Sequence, residues 1–378
     1  MGELTGILLF VLVLMVVILI HEAAHFFTAK AFRIRVEEFF LGFGPRVWST
    51  RRGETEYGVK AFPLGGYVRI AGMNPFEEPS PEDMPRTFGA RPAWQRALVI
   101  AAGPATHFLV ALVFFALALG VLGVPTEHAA LISSVERTLD GKPSPAAVAG
   151  LRAGDEVVAV GPLELPSDEA LVAYTRAHVG EAVVLRIARG EEELSVTVVP
   201  VLSEVEGKMV GRIGVGLASG RVLARERYGP IRALGEGAQL VGETTVNTVA
   251  SLGRVFGPEG IGRIGSLLFG EAQREPDDVT SIVGGGRIAG QAAAAGYWEV
   301  LLFLFAGFNV FVGVLNLLPI PPFDGGHLAV IGIEKLTGRK VDARRLVPIT
   351  AVVAAFLILF MVSLVYLDIV KPVPNLFR

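Results

Sequence analysis

Four apolar stretches, Leu4–Phe27, Ala97–Val124, Trp298–Leu318 and Val347–Tyr366, each reach the roughly 20 residues that a helix needs to cross a bilayer. They constrain the fold more than anything else in the chain. A backbone in lipid must satisfy its own hydrogen bonds, so each stretch has to be helical. With 52% of the 378 residues hydrophobic and 19% charged, the stretches form the framework of the molecule rather than an attachment to it. The first lacks the basic leader and small-residue cleavage site of a signal peptide and is expected to be retained. A net charge of −3 offers no basic surface for nucleic acid. The absence of cysteine excludes disulfides and thiolate chemistry, so any metal site must be built from imidazole and carboxylate.

Basic residues set the expected orientation. Eleven Lys and Arg residues lie between Lys30 and Arg96, and five more between Lys335 and Arg345. By the positive-inside rule both loops are cytoplasmic. The N-terminus, the C-terminal tail and the long segment between the second and third stretches are then outside.

The first stretch contains a contradiction. In LVLMVVILIHEAAHFFTAKAF, residues 12 to 32, His21, Glu22 and His25 interrupt an apolar run. Ionisable groups are costly at membrane depth and mark functional sites there. The H-E-x-x-H spacing puts both imidazoles on one helix face, where they can hold one zinc ion, with Glu22 beside them as a general base for hydrolysis. A catalytic zinc takes three protein ligands and keeps one position open. Of the other histidines, His107, His128, His178 and His327, none is as well placed as Asp324 in NLLPIPPFDGGH, residues 316 to 327. There Pro319, Pro321 and Pro322 must break the third helix. Gly325 and Gly326 allow a tight turn beside the carboxylate. Broken helices at membrane depth are tolerated only where they are buried or line a cavity. Leu4 to His21 and Trp298 to Asn316 both span about 26–27 Å of helix. The two polar motifs therefore reach similar depth near the cytoplasmic edge.

At these residues the chain resembles the site-2 protease family of intramembrane zinc metalloproteases, in particular its bacterial regulator of sigma-E protease branch. The similarity is carried by HEAAH, by FFLGFGP and EYGVKAFPLGGYVRIAG in the first loop, and by AAGPATHF opening the second span. It continues through SPAAVAGLRAGDEVVAV to NLLPIPPFDGGH. The resemblance implies Zn2+ held by His21, His25 and Asp324, with Glu22 as base and Asn316 helping to bind or polarise the scissile peptide. A side-chain amide suits that role, since it can donate to a developing oxyanion. Two positions depart from the family pattern: His107 stands where relatives usually carry asparagine, and Phe311 where they often carry another. His107 is expected to be a helix-contact residue and His327 a structural neighbour of the site.

The implied fold class is a polytopic α-helical membrane protein with four transmembrane helices, a membrane-associated β-hairpin region and one inserted PDZ-like α+β domain. Residues 1–125 form the first part of the protease core, with a β-rich loop over 34–70 whose runs are separated by RRGE and PLGG. An exposed strand edge there could hold an unwound substrate by β-addition. Residues 126–217 form the extracytoplasmic PDZ-like domain, which takes peptide segments. Residues 218–297 form membrane-surface helices followed by a Gly-rich loop, SIVGGGRIAGQ, that lacks a P-loop pattern. Residues 298–378 complete the core. The expected activity is endoproteolysis of single-pass membrane proteins, such as an anti-sigma factor or a remnant signal peptide, in the bacterial plasma membrane. Two rival readings are an intramembrane metal or proton transporter, and a PDZ-bearing scaffold with a structural zinc.

Overall fold

A computed structural model describes residues 2–74, 76, 80–205, 208–270 and 272–375. The chain divides into two compact units, one made of Met1–Leu122 with Gly229–Arg378 and the other of Gly123–Tyr228. The first unit begins with α1 (Gly2–Ala31), strands β1 (Val36–Arg52) and β2 (Thr55–Ile70), and α2 (Ala93–Leu117). The second holds β3 (Val124–Val135), β4 (Thr138–Leu139), β5 (Lys142–Pro143), α3 (Pro145–Val148), β6 (Glu156–Val160), β7 (Leu163–Glu164) and α4 (Asp168–Ala177). It ends with β8 (Val183–Arg189), β9 (Glu192–Val198), β10 (Val201–Val205), β11 (Lys208–Arg212) and β12 (Val215–Glu226). The chain returns to the first unit through α5 (Pro230–Val255), α6 (Pro258–Phe269), α7 (Ile282–Ala294), α8 (Trp298–Asn316), α9 (Asp324–Thr337) and α10 (Val347–Val370).

Among the described residues, four helices are long and apolar enough to cross a membrane: α1, α2, α8, and α10 with the turn before it. They match the four apolar stretches to within a few residues at each end. In the first unit, Phe10 of α1 is buried with Leu301 and Phe305 of α8, and Ala111 and Phe115 of α2 are buried with Ala306 and Val310 of α8. Residues 34–70 form the expected hairpin, β1 antiparallel to β2, turning at Gly53. PLGG separates two strand runs as expected, although both belong to the one strand β2: Leu41 pairs with Val59 before it and with Gly66 at its end, so the two parts of β2 flank the start of β1 on opposite sides. The hairpin exposes Phe43, Val47, Trp48 and Phe62.

The segment expected to be a Gly-rich loop is helix α7, packed along α1. The sequence signal misled because glycine strings read as loops and cost helix propensity. Here the small residues serve close approach, as between helices in lipid. A Cβ on Gly6 of α1 would lie 2.6 Å from the Ala289 carbonyl oxygen and 2.7 Å from Gly290 Cα of α7. Nor does α5 lie apart as a surface helix: its Leu240, Val241 and Leu252 pack against the α2–α8 cluster.

In the second unit the sheet order is β12-β3-β6-β8-β9. Ile132, Val157, Leu185 and Ile187 from the sheet and Leu171 from α4 are buried together as its core. The unit is longer than the expected 126–217, because β12 continues to pair with β3 as far as Glu226 opposite Val124. Asp155, fully buried, is held by the Arg189 guanidinium at 2.7 and 2.8 Å and by the Arg152 amide at 2.8 Å. Burial opposes its charge, but these partners outweigh that and hold the carboxyl below its usual range. A groove of about 220 Å³ lies between α4 and residues Val210–Leu217.

A buried ionic cluster anchors the end of α10. Asp368 Oδ2 accepts hydrogen bonds from Ser281 N at 2.7 Å, Ser281 Oγ at 2.6 Å and Gly284 N at 3.0 Å, which caps α7. Its Oδ1 lies 3.1 Å from Arg274 Nη2, and both side chains are 1% exposed. Truncation would leave the guanidinium buried without this partner, so Asp368→Ala should cost about 3–5 kcal/mol. Thermal unfolding in detergent is expected to show a clear drop, and an unchanged transition would contradict this packing account.

Candidate active site

The sequence brings His21 and His25 to one face of α1, and the structure brings Asp324 to them from α9. His21 Nε2 and His25 Nε2 are 3.1 Å apart, and each is 3.3 Å from Asp324 Oδ2. Among the described residues these three form the single His and carboxylate cluster able to hold a metal ion. The cluster is enclosed, with side-chain exposures of 12%, 9% and 17%.

Close backbone approaches make this convergence possible. A Cβ on Gly103 of α2 would lie 2.2 Å from His25 Nε2 and 2.8 Å from His21 Cε1. Only a glycine lets α2 pass there. His25 Nδ1 lies 2.8 Å from the Val99 carbonyl of the same helix, which fixes its ring. After α8 ends, the proline segment turns back and Asp324 becomes the first residue of α9. Gly325 and Gly326 therefore sit in a helical first turn, not in the tight turn expected. Their role is proximity: a Cβ on Gly325 would meet the Leu317 and Leu318 carbonyls at 2.3 Å, and one on Gly326 the Pro321 nitrogen at 2.5 Å.

The geometry fits a zinc ion. Ligand bonds of about 2.0–2.2 Å in a tetrahedral site separate donor atoms by about 3.3–3.6 Å. The observed triangle of 3.1, 3.3 and 3.3 Å is close to one face of such a tetrahedron. Asp324 Oδ2 is buried and receives no hydrogen bond, as expected of an atom directed at a cation.

Glu22, one residue from His21, lies under the hairpin. A Cβ on Gly66 of β2 would lie 3.1 Å from the Glu22 Cγ. Asn316 closes α8, half-buried, and no hydrogen bond joins it to the three clustered residues among the described ones. His327 is not one of the three clustered residues. It lines a cavity of about 380 Å³ with Pro322, Arg96 and Glu334. His107 is 2% exposed, and its ring centroid is 4.9 Å from that of His21. Its partner Asn309, fully buried at 3.2 Å, escaped the sequence reading, which looked for an amide at Phe311. A lone amide inside an apolar helix was the available signal.

Two histidines, one carboxylate and an adjacent glutamate inside a bundle of apolar helices define a membrane-embedded metallohydrolase. The description Peptidase family M50 matches residues 9–360, and the chain belongs to that family. It is a zinc metalloendopeptidase. It is 34% identical over 405 residues to zinc metalloprotease Rip1 of Mycobacterium tuberculosis, covering 98% of each chain. A Rip1 of Mycolicibacterium smegmatis is 33% identical, covering 97% of this chain and 98% of the other. A putative zinc metalloprotease of Nostoc is 32% identical over 90% of this chain and 89% of that one. Among solved structures, the PDZ domain of an SdrC-like protein of Listeria monocytogenes is 22% identical, with a TM-score of 0.21, over 24% of this chain and 90% of that one. That likeness is too slight to bear on the fold, which rests on the strand order above.

Gly103→Ala provides a direct check of the site's construction. The added methyl group must displace both imidazoles, so the purified variant is expected to fold but to retain far less zinc than wild type after dialysis. Full zinc retention measured by atomic absorption would contradict the close approach of α2.

Proposed function

We propose that this protein is an intramembrane zinc endopeptidase that cleaves single-pass membrane proteins within or next to their spanning segment. The observation that carries this reading is the meeting of His21, His25 and Asp324 at ligand spacing, with Glu22 beside them, between helices apolar enough to span. His21, His25 and Asp324 hold the metal. When bound, zinc supplies Lewis acidity toward the scissile carbonyl and makes water a better nucleophile. Glu22 accepts a proton from the attacking water as the C–O bond forms, and returns it to the leaving nitrogen as the tetrahedral adduct collapses and the C–N bond breaks. Asn316, at the broken end of α8, donates its amide to the developing oxyanion.

A transmembrane helix hides its peptide bonds, so the substrate must be extended before it can react. The hairpin supports that step. The last part of β2, from Gly66 to Ile70, is paired on one side by β1, and its Gly66 lies against Glu22. A substrate strand added on its other side would present its backbone to the site. The unit Gly123–Tyr228 is PDZ-like in role: its groove beside α4 suits an extended peptide, and it would dock or screen substrates. The charge bias of the two basic loops supports both termini and this unit lying outside a bacterial plasma membrane, with the zinc toward the cytoplasm. An anti-sigma factor or remnant signal peptide fits such a substrate class.

A transporter would need further ionisable groups along a crossing path. Asp368 does not extend one, because it is engaged by Arg274 and the start of α7.

Glu22→Gln separates catalysis from metal binding. With a model spanning peptide in detergent, the variant is expected to keep its zinc while cleavage falls by about 10²–10⁴-fold. Wild-type cleavage should stop on chelation and return with zinc. Cutting that persists in metal-free protein, or near-normal turnover by Glu22→Gln, would overturn the reading.

A further inference from the structure

The two clustered histidines are not equally supported. His25 directs Nε2 into the cluster and its other nitrogen, Nδ1, lies 2.8 Å from the Val99 carbonyl. His21 also directs Nε2 into the cluster, but its Nδ1 is buried and has no hydrogen-bond partner. A neutral imidazole that coordinates through Nε2 carries its proton on Nδ1. Ligand histidines donate that N–H to a neighbour, which fixes both the tautomer and the ring. His21 therefore needs an acceptor.

The neighbouring ring is His107 of α2, whose plane is tilted by 39° to that of His21. Its protonation pattern follows from its far side. Asn309 Nδ2 donates to the Phe305 carbonyl at 2.8 Å, which leaves Asn309 Oδ1 facing His107 Nδ1 at 3.2 Å. A carbonyl cannot donate and an amide oxygen only accepts, so the proton between them sits on His107 Nδ1. His107 Nε2 is then left with a free lone pair. The His107 and Asn309 side chains are both buried, at 2% and 0% exposure.

We propose that His107 is the positioning residue for His21. With zinc on Nε2, His21 Nδ1–H would donate to His107 Nε2; His107 Nδ1–H donates to Asn309 Oδ1, and Asn309 Nδ2–H to the Phe305 carbonyl. The relay ties α1, α2 and α8 together and begins at a metal ligand, so helix packing sets the ring that holds the ion. It rests on the assignment of His21 as a zinc ligand. Asn309, at the far end, sets the tautomer of the histidine in front of it.

The test uses full-length protein in detergent, with zinc affinity measured by chelator competition and the visible spectrum of the cobalt-substituted protein. Thermal unfolding of the metal-free form monitors folding. His107→Leu should weaken zinc binding about 10–100-fold and alter the cobalt spectrum. His107→Gln, which places an amide oxygen near the lost Nε2, should recover part of that affinity. Asn309→Leu should weaken binding in wild type but add nothing in the His107→Leu background, since it acts through His107. If His107→Leu does not fold, Asn309→Leu alone must still shift the cobalt spectrum. Zinc affinity of a folded His107→Leu within about twofold of wild type, or additive losses in the double variant, would overturn the relay. Unchanged zinc affinity in His21→Ala would instead sink the ligand assignment beneath it.

Discussion

Three lone-pair donors, two imidazole and one carboxylate, face one another at little more than 3 Å inside apolar packing. Without a cation that arrangement would be unfavourable, since desolvated polar atoms without partners cost free energy. Much of the first unit serves to hold it. Gly103 lets α2 pass beside both histidines, and the Val99 carbonyl orients one of them. The prolines end α8 so that α9 can begin at Asp324, and two glycines let its first turn press against the chain before it.

The same constraint accounts for the surrounding architecture. Hydrolysis needs water and an exposed peptide bond, and neither is present inside a lipid-facing helix bundle. The hairpin brings β2 against Glu22 at Gly66. The glycine-rich α7 lies against α1 on the other flank, and the Arg274–Asp368 cluster ties α7 to the end of α10. The site is thus gripped by close helix contacts while one side remains lined by strand.

Much of the site was legible because the chemistry is local in sequence. H-E-x-x-H shares a helix face through spacing alone, and Asp324 stood out because prolines and glycines surround it in an apolar context. The four spans followed from length and composition. What escaped depends on who the neighbours are. Glycines in α7 and at Gly325–Gly326 read as loop or turn, because local propensity cannot see the backbone that packs against them. Asn309 and His107 are far apart in sequence, and only the packing of α8 on α2 joins them. The second unit was read short because charged residues in β12 hid a strand whose partner, β3, lies about 90 residues earlier.

The central claim is that His21, His25 and Asp324 bind one zinc ion together. An anomalous difference map at the zinc edge, from crystals of the full-length protein, measures this directly. The account expects one strong peak about 2.0–2.2 Å from His21 Nε2, His25 Nε2 and an Asp324 carboxylate oxygen. A peak coordinated by the histidines without Asp324, or zinc bound elsewhere in the molecule, would contradict it.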